Sequence, residues 1–401
     1  MSENLIKEII EGSKMSLIEK NVITYFIHNG NSTITDLAQE LNLSIPTTTK
    51  FVNEMCKTKI LNEFGKLETN EGRRPNLYGL NPTSGYFLGV DINEFSVNIG
   101  MMNFKGDMEE LKMKIPYSID NTMSSLDELC GLITNFIQES EVDANKIINI
   151  NINFSGRVNP ETGYCYSIFN FSESPLTKII SDKINMHVSI DNDSRSMAYG
   201  EYLKGCVKGE KDVLFINISW GLGMGMILDG KLYKGKSGFS GELGHVHTFD
   251  NEILCKCGKK GCLETEVSGQ ALCRIVNEHI KAGESSILSK KHSEEKPYTL
   301  EEIIDATNHE DLLCIDIVEK MGQKLGESLA GLINIFNPEL VVIGGILSLT
   351  GDYLLQPIKT SVRKYTLNIV NKDTSIVLSK LKEKAGITGA CMLARTHIFD
   401  D

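Results

Sequence analysis

Near the start of the chain, apolar residues recur at helical spacing. Ile34, Leu37, Ala38 and Leu41 stand at i, i+3, i+4 and i+7, one face of a helix. Thr35 is placed to cap that helix, with Asp36 in the first turn, where the dipole favours an acid. Ser44 offers a second cap and Pro46 an early-turn residue for a helix over 45–59. Its pattern turns Phe51, Val52 and Met55 inward and Thr47, Thr49, Lys50 and Asn53 outward. Two short helices and a tight turn predict a helix-turn-helix, closed by a third helix over 17–28. The alternating stretch ILNEFGKLETNEGRRPNLYGLNP predicts a two-stranded wing with Arg73 and Arg74 near its tip.

After Pro82 the pattern changes to strands. YFLGVDI, FSVNIGMMNF and MEELKMKIPYSI are separated by polar turns, then followed by the amphipathic helix SSLDELCGLITNFIQES and the buried strand KIINININFSG. The same opening returns at KDVLFINIS, GMGMILDG and KLYKG, about 125 residues later, which predicts two related α/β lobes with a cleft between them. In the second copy the turn is WGLGMG, whose Gly221, Gly223 and Gly225 suit either close approach to a phosphate or a tight hairpin. Between the copies, VSIDNDSRS sets Asp191, Asn192 and Asp193 at a strand's C-terminal end, where α/β folds bind ligands. Asp193 or Ser194 serves equally well as a helix cap.

Composition narrows the function classes. The chain has 401 residues, too many for one core, and an ordinary soluble balance of 41% hydrophobic and 23% charged residues. No run approaches the ~18 apolar residues of a membrane span, and the charged N-terminus does not suit a signal peptide. The chain is therefore read as cytoplasmic, without membrane insertion. A net charge of −12 excludes a surface that coats nucleic acid, but residues 1–80 are near neutral, with nine basic and ten acidic residues. DNA contact falls to a local patch there: Ser44, Thr47, Thr49, Lys50, Asn53, Arg73 and Arg74.

Candidate chemistry concentrates in GELGHVHTFDNEILCKCGKKGCLE. His245, Cys255, Cys257 and Cys262 form H-x9-C-x-C-x4-C, four donors suited to a closed tetrahedral Zn2+ site. Gly258 and Gly261 allow the chain to turn round an ion, and three lysines offset thiolate charge. Cys255 and Cys257 are too close in sequence to bridge one another well. Free buried thiols are the alternative, and His247 is a rival ligand by spacing.

This segment resembles the signature of the ROK family of repressors, open reading frames and sugar kinases. DNDSRS, WGLGMGMILDGKLYKG and NPELVVIGG follow in the family's order, and a winged helix-turn-helix ending in GRRP resembles its xylose and N-acetylglucosamine repressor branch. The resemblance implies a two-lobed actin-like, ribonuclease H-like fold behind the winged helix-turn-helix, with the zinc segment inserted. The implied domains are 1–80 for DNA, 82–195 completed by a helix at 385–401, and 196–384 with zinc and a dimerisation surface. It further implies a sugar or sugar phosphate held by Asn170, Asn192, Asp193, Glu242, His245 and Glu264, with Asp193 at the position of the kinase base. His245 would face zinc with one ring nitrogen and the sugar with the other.

Two departures bear on activity. Where family kinases carry D-I-G-G-T-K this chain has DINEFS: Asp91 stays, but Asn93, Glu94 and Phe95 replace Gly-Gly-Thr, and Glu94 sets negative charge near any phosphate. In the second loop Trp220 takes the place of the usual Thr before Gly221 and Gly223. Phosphoryl transfer relies on positioning and charge stabilisation, and both loops have lost parts. The expectation is a non-enzymatic, sugar-responsive repressor, a homodimer or tetramer on a pseudo-palindromic operator, its DNA affinity lowered by sugar. An ATP-dependent sugar kinase with a DNA-binding appendage is the alternative, and no motif supports a transporter subunit as effector.

Overall fold

A computed structural model describes residues 17–66, 75–290 and 297–399. It begins with α1 (Leu17–Asn29), β1 (Ser32–Thr33), α2 (Ile34–Glu40), α3 (Ile45–Lys57), β2 (Leu61–Lys66) and β3 (Asn76–Leu80). Val22, Ile23, Phe26, Leu37, Val52, Met55 and Leu61 close a small core between these helices and a three-stranded sheet of order β1-β3-β2. This is a winged helix-turn-helix. The cap of α2 is Thr33, not Thr35: Thr33 Oγ1 accepts from Asp36 N at 3.2 Å, and the Asp36 carboxylate accepts from Thr33 N and Oγ1. Thr33 wins because it alone stands outside the helix with an extended backbone. The sequence pattern also missed β1, a two-residue strand that only its pairing with β3 defines.

Helix α3 ends two residues earlier than its periodicity predicts. Lys59 adopts a left-handed φ of 62°, and its carbonyl accepts from Asn81 Nδ2 and Ser84 Oγ, each at 2.6 Å. These side chains lie just before β4, so they tie the exit of α3 to the next sheet. Arg73 and Arg74 lie outside the described residues.

Two compact units follow from the packing, one of residues 1–191 with 390–401 and one of 192–389. The first contains β4 (Tyr86–Ile92), β5 (Ser96–Asn103), β6 (Met108–Pro116), α4 (Met123–Glu139), β7 (Ile147–Phe154), the short β8 (Val158–Asn159) and β9 (Tyr164–Cys165), α5 (Leu176–Ile184) and β10 (Val188–Asn192). Its sheet has the order β10-β7-β4-β5-β6. Leu126, Leu129, Ile133 and Phe136 of α4 and Ile180 of α5 pack on Ile150, Ile152 and Val90 of that sheet.

The second unit contains α6 (Asp193–Lys204), β11 (Val213–Ile218), β12 (Leu222–Leu228), β13 (Lys231–Leu232), α7 (Gly269–Lys281), α8 (Leu300–Asn308), α9 (Leu312–Phe336), β14 (Leu340–Gly344), α10 (Asp352–Tyr365), α11 (Asn368–Asp373) and β15 (Ser375–Leu378). The last helix, α12 (Ala385–Phe399), starts in this unit and ends in the first. The sheet order is β13-β12-β11-β14-β15. Counted within each unit in chain order, both sheets run 3-2-1-4-5, with strands 1 to 3 antiparallel and strand 4 parallel to strand 1. The recurrence read from the sequence is thus a repeated topology, the arrangement of actin-like, ribonuclease H-like lobes. Among the described residues no helix is long and apolar enough to cross a membrane.

Candidate metal and ligand site

The metal-ligand candidates sit on a short hairpin. Leu263 N donates to Val246 O at 2.9 Å, Thr248 N and Phe249 N donate to Gly261 O, and Cys255 N donates to Lys259 O at 2.8 Å. Gly261 has φ 73°, and a Cβ there would lie 2.1 Å from Phe249 O, so glycine is required on both counts. This folding brings one donor atom from each of His245, Cys255, Cys257 and Cys262 within 4.8 Å of the others.

The spacings suit a tetrahedral centre. Bonds of ~2.3 Å to sulfur and ~2.0–2.1 Å to nitrogen give tetrahedral edges of about 3.8 Å between sulfurs and about 3.5 Å between sulfur and nitrogen. Cys255 Sγ lies 3.5 Å from His245 Nδ1, and Cys257 Sγ lies 3.6 Å from Cys262 Sγ. Burial, with the nearby Glu264 carboxylate adding to it, pushes the Cys255 thiol up to about 12. Thiolates gathered so closely repel one another, and a cation among them removes that cost. His247, the rival imidazole, stands outside the group, its ring against Gly261.

The acids expected around a sugar surround the same hairpin. His245 Nε2, on the side of the ring away from the thiols, lies 3.7 Å from Glu242 Oε2, and both side chains are partly exposed. Glu264 Oε2 accepts from Leu222 N at 2.9 Å and sits 2.8 Å from where a Cβ on Gly221 would be. A Cβ on Gly244 would lie 3.3 Å from the same Glu264 oxygen, so the Glu242–His245 turn, Glu264 and the Gly221 turn gather in one place. Asn192 caps α6 by accepting from Arg195 N at 3.0 Å, the role the sequence offered to Asp193 or Ser194. Asp193 Oδ1 accepts from Ser194 N and from Asn192 Nδ2. Asn170 is exposed and belongs to the first unit, whereas the other five sugar candidates belong to the second.

The glycines of the second turn have packing duties. A Cβ on Gly223 would meet Ser194 Oγ at 2.2 Å, and one on Gly225 would meet Ala198 Cβ at 2.4 Å and Ser194 O at 2.6 Å. They bring α6, with Asn192 and Asp193 at its start, down onto β12. Trp220 packs its ring against the core of the unit.

In the first unit Asp91 is only 3% exposed. Its Oδ1 accepts from Asn153 Nδ2 at 3.1 Å and its Oδ2 from Asn98 Nδ2 at 3.3 Å. Burial raises its carboxyl above the usual range, and the amides of Asn153, Asn98 and Asn93 pull it partway back. The turn beyond it exposes Asn93, Glu94 and Phe95. The polar chain continues: Asn151 donates to Asn153 at 3.2 Å, Ser189 to Asn151 at 3.0 Å and Asn149 to Ser189 at 3.0 Å. This buried amide row was not anticipated. Its signal was present in KIINININF, where asparagine and isoleucine alternate at the period of a strand, so that one face is wholly amide.

A DNA-reading element joined to a body with two kinase-type lobes defines a class of protein. Residues 87–397 match the ROK family, and residues 15–61 match a family described as winged helix-turn-helix DNA-binding. The chain belongs to the ROK family. It is 30% identical to a xylose repressor of Caldicellulosiruptor bescii over 361 residues, 88% of this chain and 89% of that one. It is 28% identical to a glucokinase of Halalkalibacterium halodurans over 314 residues, 77% of this chain and 95% of the relative. Among solved structures, a ROK family transcriptional regulator described as a homologue of the E. coli MLC protein superposes with TM-score 0.79 at 27% identity, covering 95% of this chain and 96% of its own. A ROK glucokinase from Streptomyces griseus superposes with TM-score 0.67 at 26% identity, covering 78% of this chain and all of its own.

Proposed function

We propose that this protein is a sugar-responsive transcriptional repressor that binds operator DNA through its winged helix-turn-helix. One observation carries the reading: the likeness to repressors runs through the DNA-binding element as well as the body, whereas the glucokinases account for about three quarters of the chain. In this reading residues 1–80 bind DNA, and the lobes are 82–195 with 385–401 and 196–384. The protein acts as a homodimer, so that two winged helices meet two half-sites.

The sugar contacts in this reading are Asn170, Asn192, Asp193, Glu242, His245 and Glu264. Carboxylates and an amide match the donors and acceptors of vicinal hydroxyls and distinguish epimers sharply. The 3.7 Å between His245 Nε2 and Glu242 Oε2 is too long for a direct hydrogen bond, which suits a hydroxyl shared between them. Zinc bound to His245, Cys255, Cys257 and Cys262 would supply structural cross-linking, with no role in chemistry. With Nδ1 of His245 turned to the thiols, zinc held there would leave the ring proton on Nε2, a donor for a sugar hydroxyl.

Loss of phosphoryl transfer is supported by Asp91, whose two carboxylate oxygens are engaged by asparagine amides, and by Glu94 in the neighbouring turn. Sugar bound more tightly by one state of the protein than by the DNA-binding state lowers operator affinity by the same factor that DNA lowers sugar affinity. Thermal-shift screening with xylose, glucose and their phosphates identifies the effector, and that effector is expected to release operator DNA. Asp193→Asn should weaken effector binding by about 10- to 100-fold, the worth of a hydrogen bond to a charged group. A coupled ADP-release assay showing turnover of ~1–100 s⁻¹ on any sugar in the panel would overturn the repressor reading in favour of the kinase.

A further inference from the structure

We propose that Ile45 is the residue through which α3 reads thymine, by packing on the 5-methyl groups exposed in the major groove of a half-site. The inference rests on the DNA-binding reading above and names what the recognition helix recognises. Ile45 is the first residue of α3 and is 55% exposed, while Val52 and Met55 of the same helix are 0% and 1% exposed. A large apolar side chain in water at a helix start contributes nothing to the winged helix's own core. Residues near the N-terminus of a recognition helix are the ones that meet base edges.

The neighbouring hydroxyls strengthen the case. Ser44 Oγ and Thr47 Oγ1 bond each other at 2.7 Å, Thr48 Oγ1 donates to Ser44 O at 3.1 Å, and Thr49 Oγ1 donates to Ile45 O at 2.7 Å. A run that looks polar in sequence has thus turned its hydroxyls onto its own backbone and caps. Ile45, Thr49 and Asn53 stand at i, i+4 and i+8, so one stripe of the helix carries an isoleucine side chain, a threonine and an amide. In the major groove only thymine offers an apolar group, and asparagine suits adenine beside it. Lys50 and Lys57 are exposed on the same helix, in keeping with phosphates on either side.

The test selects duplexes from a random library with the full-length protein, then replaces each selected thymine by deoxyuridine, which removes only the methyl. At one or two positions per half-site the wild type should lose about fourfold per methyl, the worth of a buried methylene group. Ile45→Ala should bind the thymine duplex more weakly by a similar factor and become indifferent to deoxyuridine at those positions. Ile45→Val should retain most of the discrimination, and unchanged melting temperatures would show that neither variant has lost its fold. If Ile45→Ala weakens both duplexes equally, or if the wild type ignores deoxyuridine everywhere, the proposal fails while DNA binding stands. If the wild type enriches no sequence at all, the repressor reading fails and this proposal with it.

Discussion

The two sheets share one topology but treat the end of their first strand in opposite ways. In the first unit Asp91 is paired in register with Asn98 on β5 and Asn153 on β7. In the second, Asn217 holds the matching place and is paired with Gly223 on β12 and Gly344 on β14. Two amides close over the acid in one unit. In the other, Ser194 of α6 fills the space over Gly223 and the Phe215 ring that over Gly344, and Asn217 Nδ2 donates to Ser194 Oγ at 3.1 Å. The same scaffold is therefore a sealed polar core where it carries the DNA-binding element. Where it carries the zinc hairpin and the candidate sugar acids, it is a seat for a helix start.

The largest expected effect breaks the second unit at its hairpin. Cys257→Ser should lower bound zinc from about one ion per chain to nearly none and abolish the effector-induced thermal shift, since metal ligation and local folding are coupled. Operator binding without effector should persist, because the winged helix has its own core. Full metal content and full effector response in this variant would sink the clamp reading.

Exchanging the register partners tests the comparison directly. Gly223→Asn places a Cβ where Ser194 Oγ now lies, and should destabilise the protein by about 3 kcal/mol or more while displacing Asn192 and Asp193 from their seat. The reverse change, Asn98→Gly, leaves one oxygen of Asp91 without its amide and should cost about 1–3 kcal/mol with effector affinity unchanged. Denaturant unfolding and effector titration of both variants separate the two outcomes. Equal loss of effector affinity in both would show that the contrast between the units has no functional meaning.

The smallest effect concerns the link between α3 and the first sheet. Asn81→Ala removes the bond to the Lys59 carbonyl, at a stability cost of about 1 kcal/mol. Ser84 still reaches that carbonyl. Operator affinity should change little, whereas effector-driven release should weaken, as measured by fluorescence anisotropy of labelled operator with and without sugar. Unimpaired release would place the coupling elsewhere.

Much of this was readable in the sequence because the signals were local. The helix-turn-helix spacing, the strand-turn-strand recurrence and the H-x9-C-x-C-x4-C pattern each need only neighbours along the chain. Errors arose where a distant partner decided the outcome. Lys59 ends α3 early with its carbonyl turned to Asn81 and Ser84, some 22 to 25 residues on. The glycines of WGLGMG left a phosphate loop and a tight hairpin equally open in sequence, and across the sheet Gly223 and Gly225 face α6.

By itself the sequence determined the order of elements, the repeated unit and the four metal-ligand candidates, since periodicity and ligand spacing act over a few residues. Only the tertiary structure decided that Asp91 is sealed by Asn98 and Asn153, and that His245 turns Nδ1 to the thiols and Nε2 to Glu242. Which groups share a buried or a half-exposed place depends on strand register and turn geometry, and these are set by packing across the sheet.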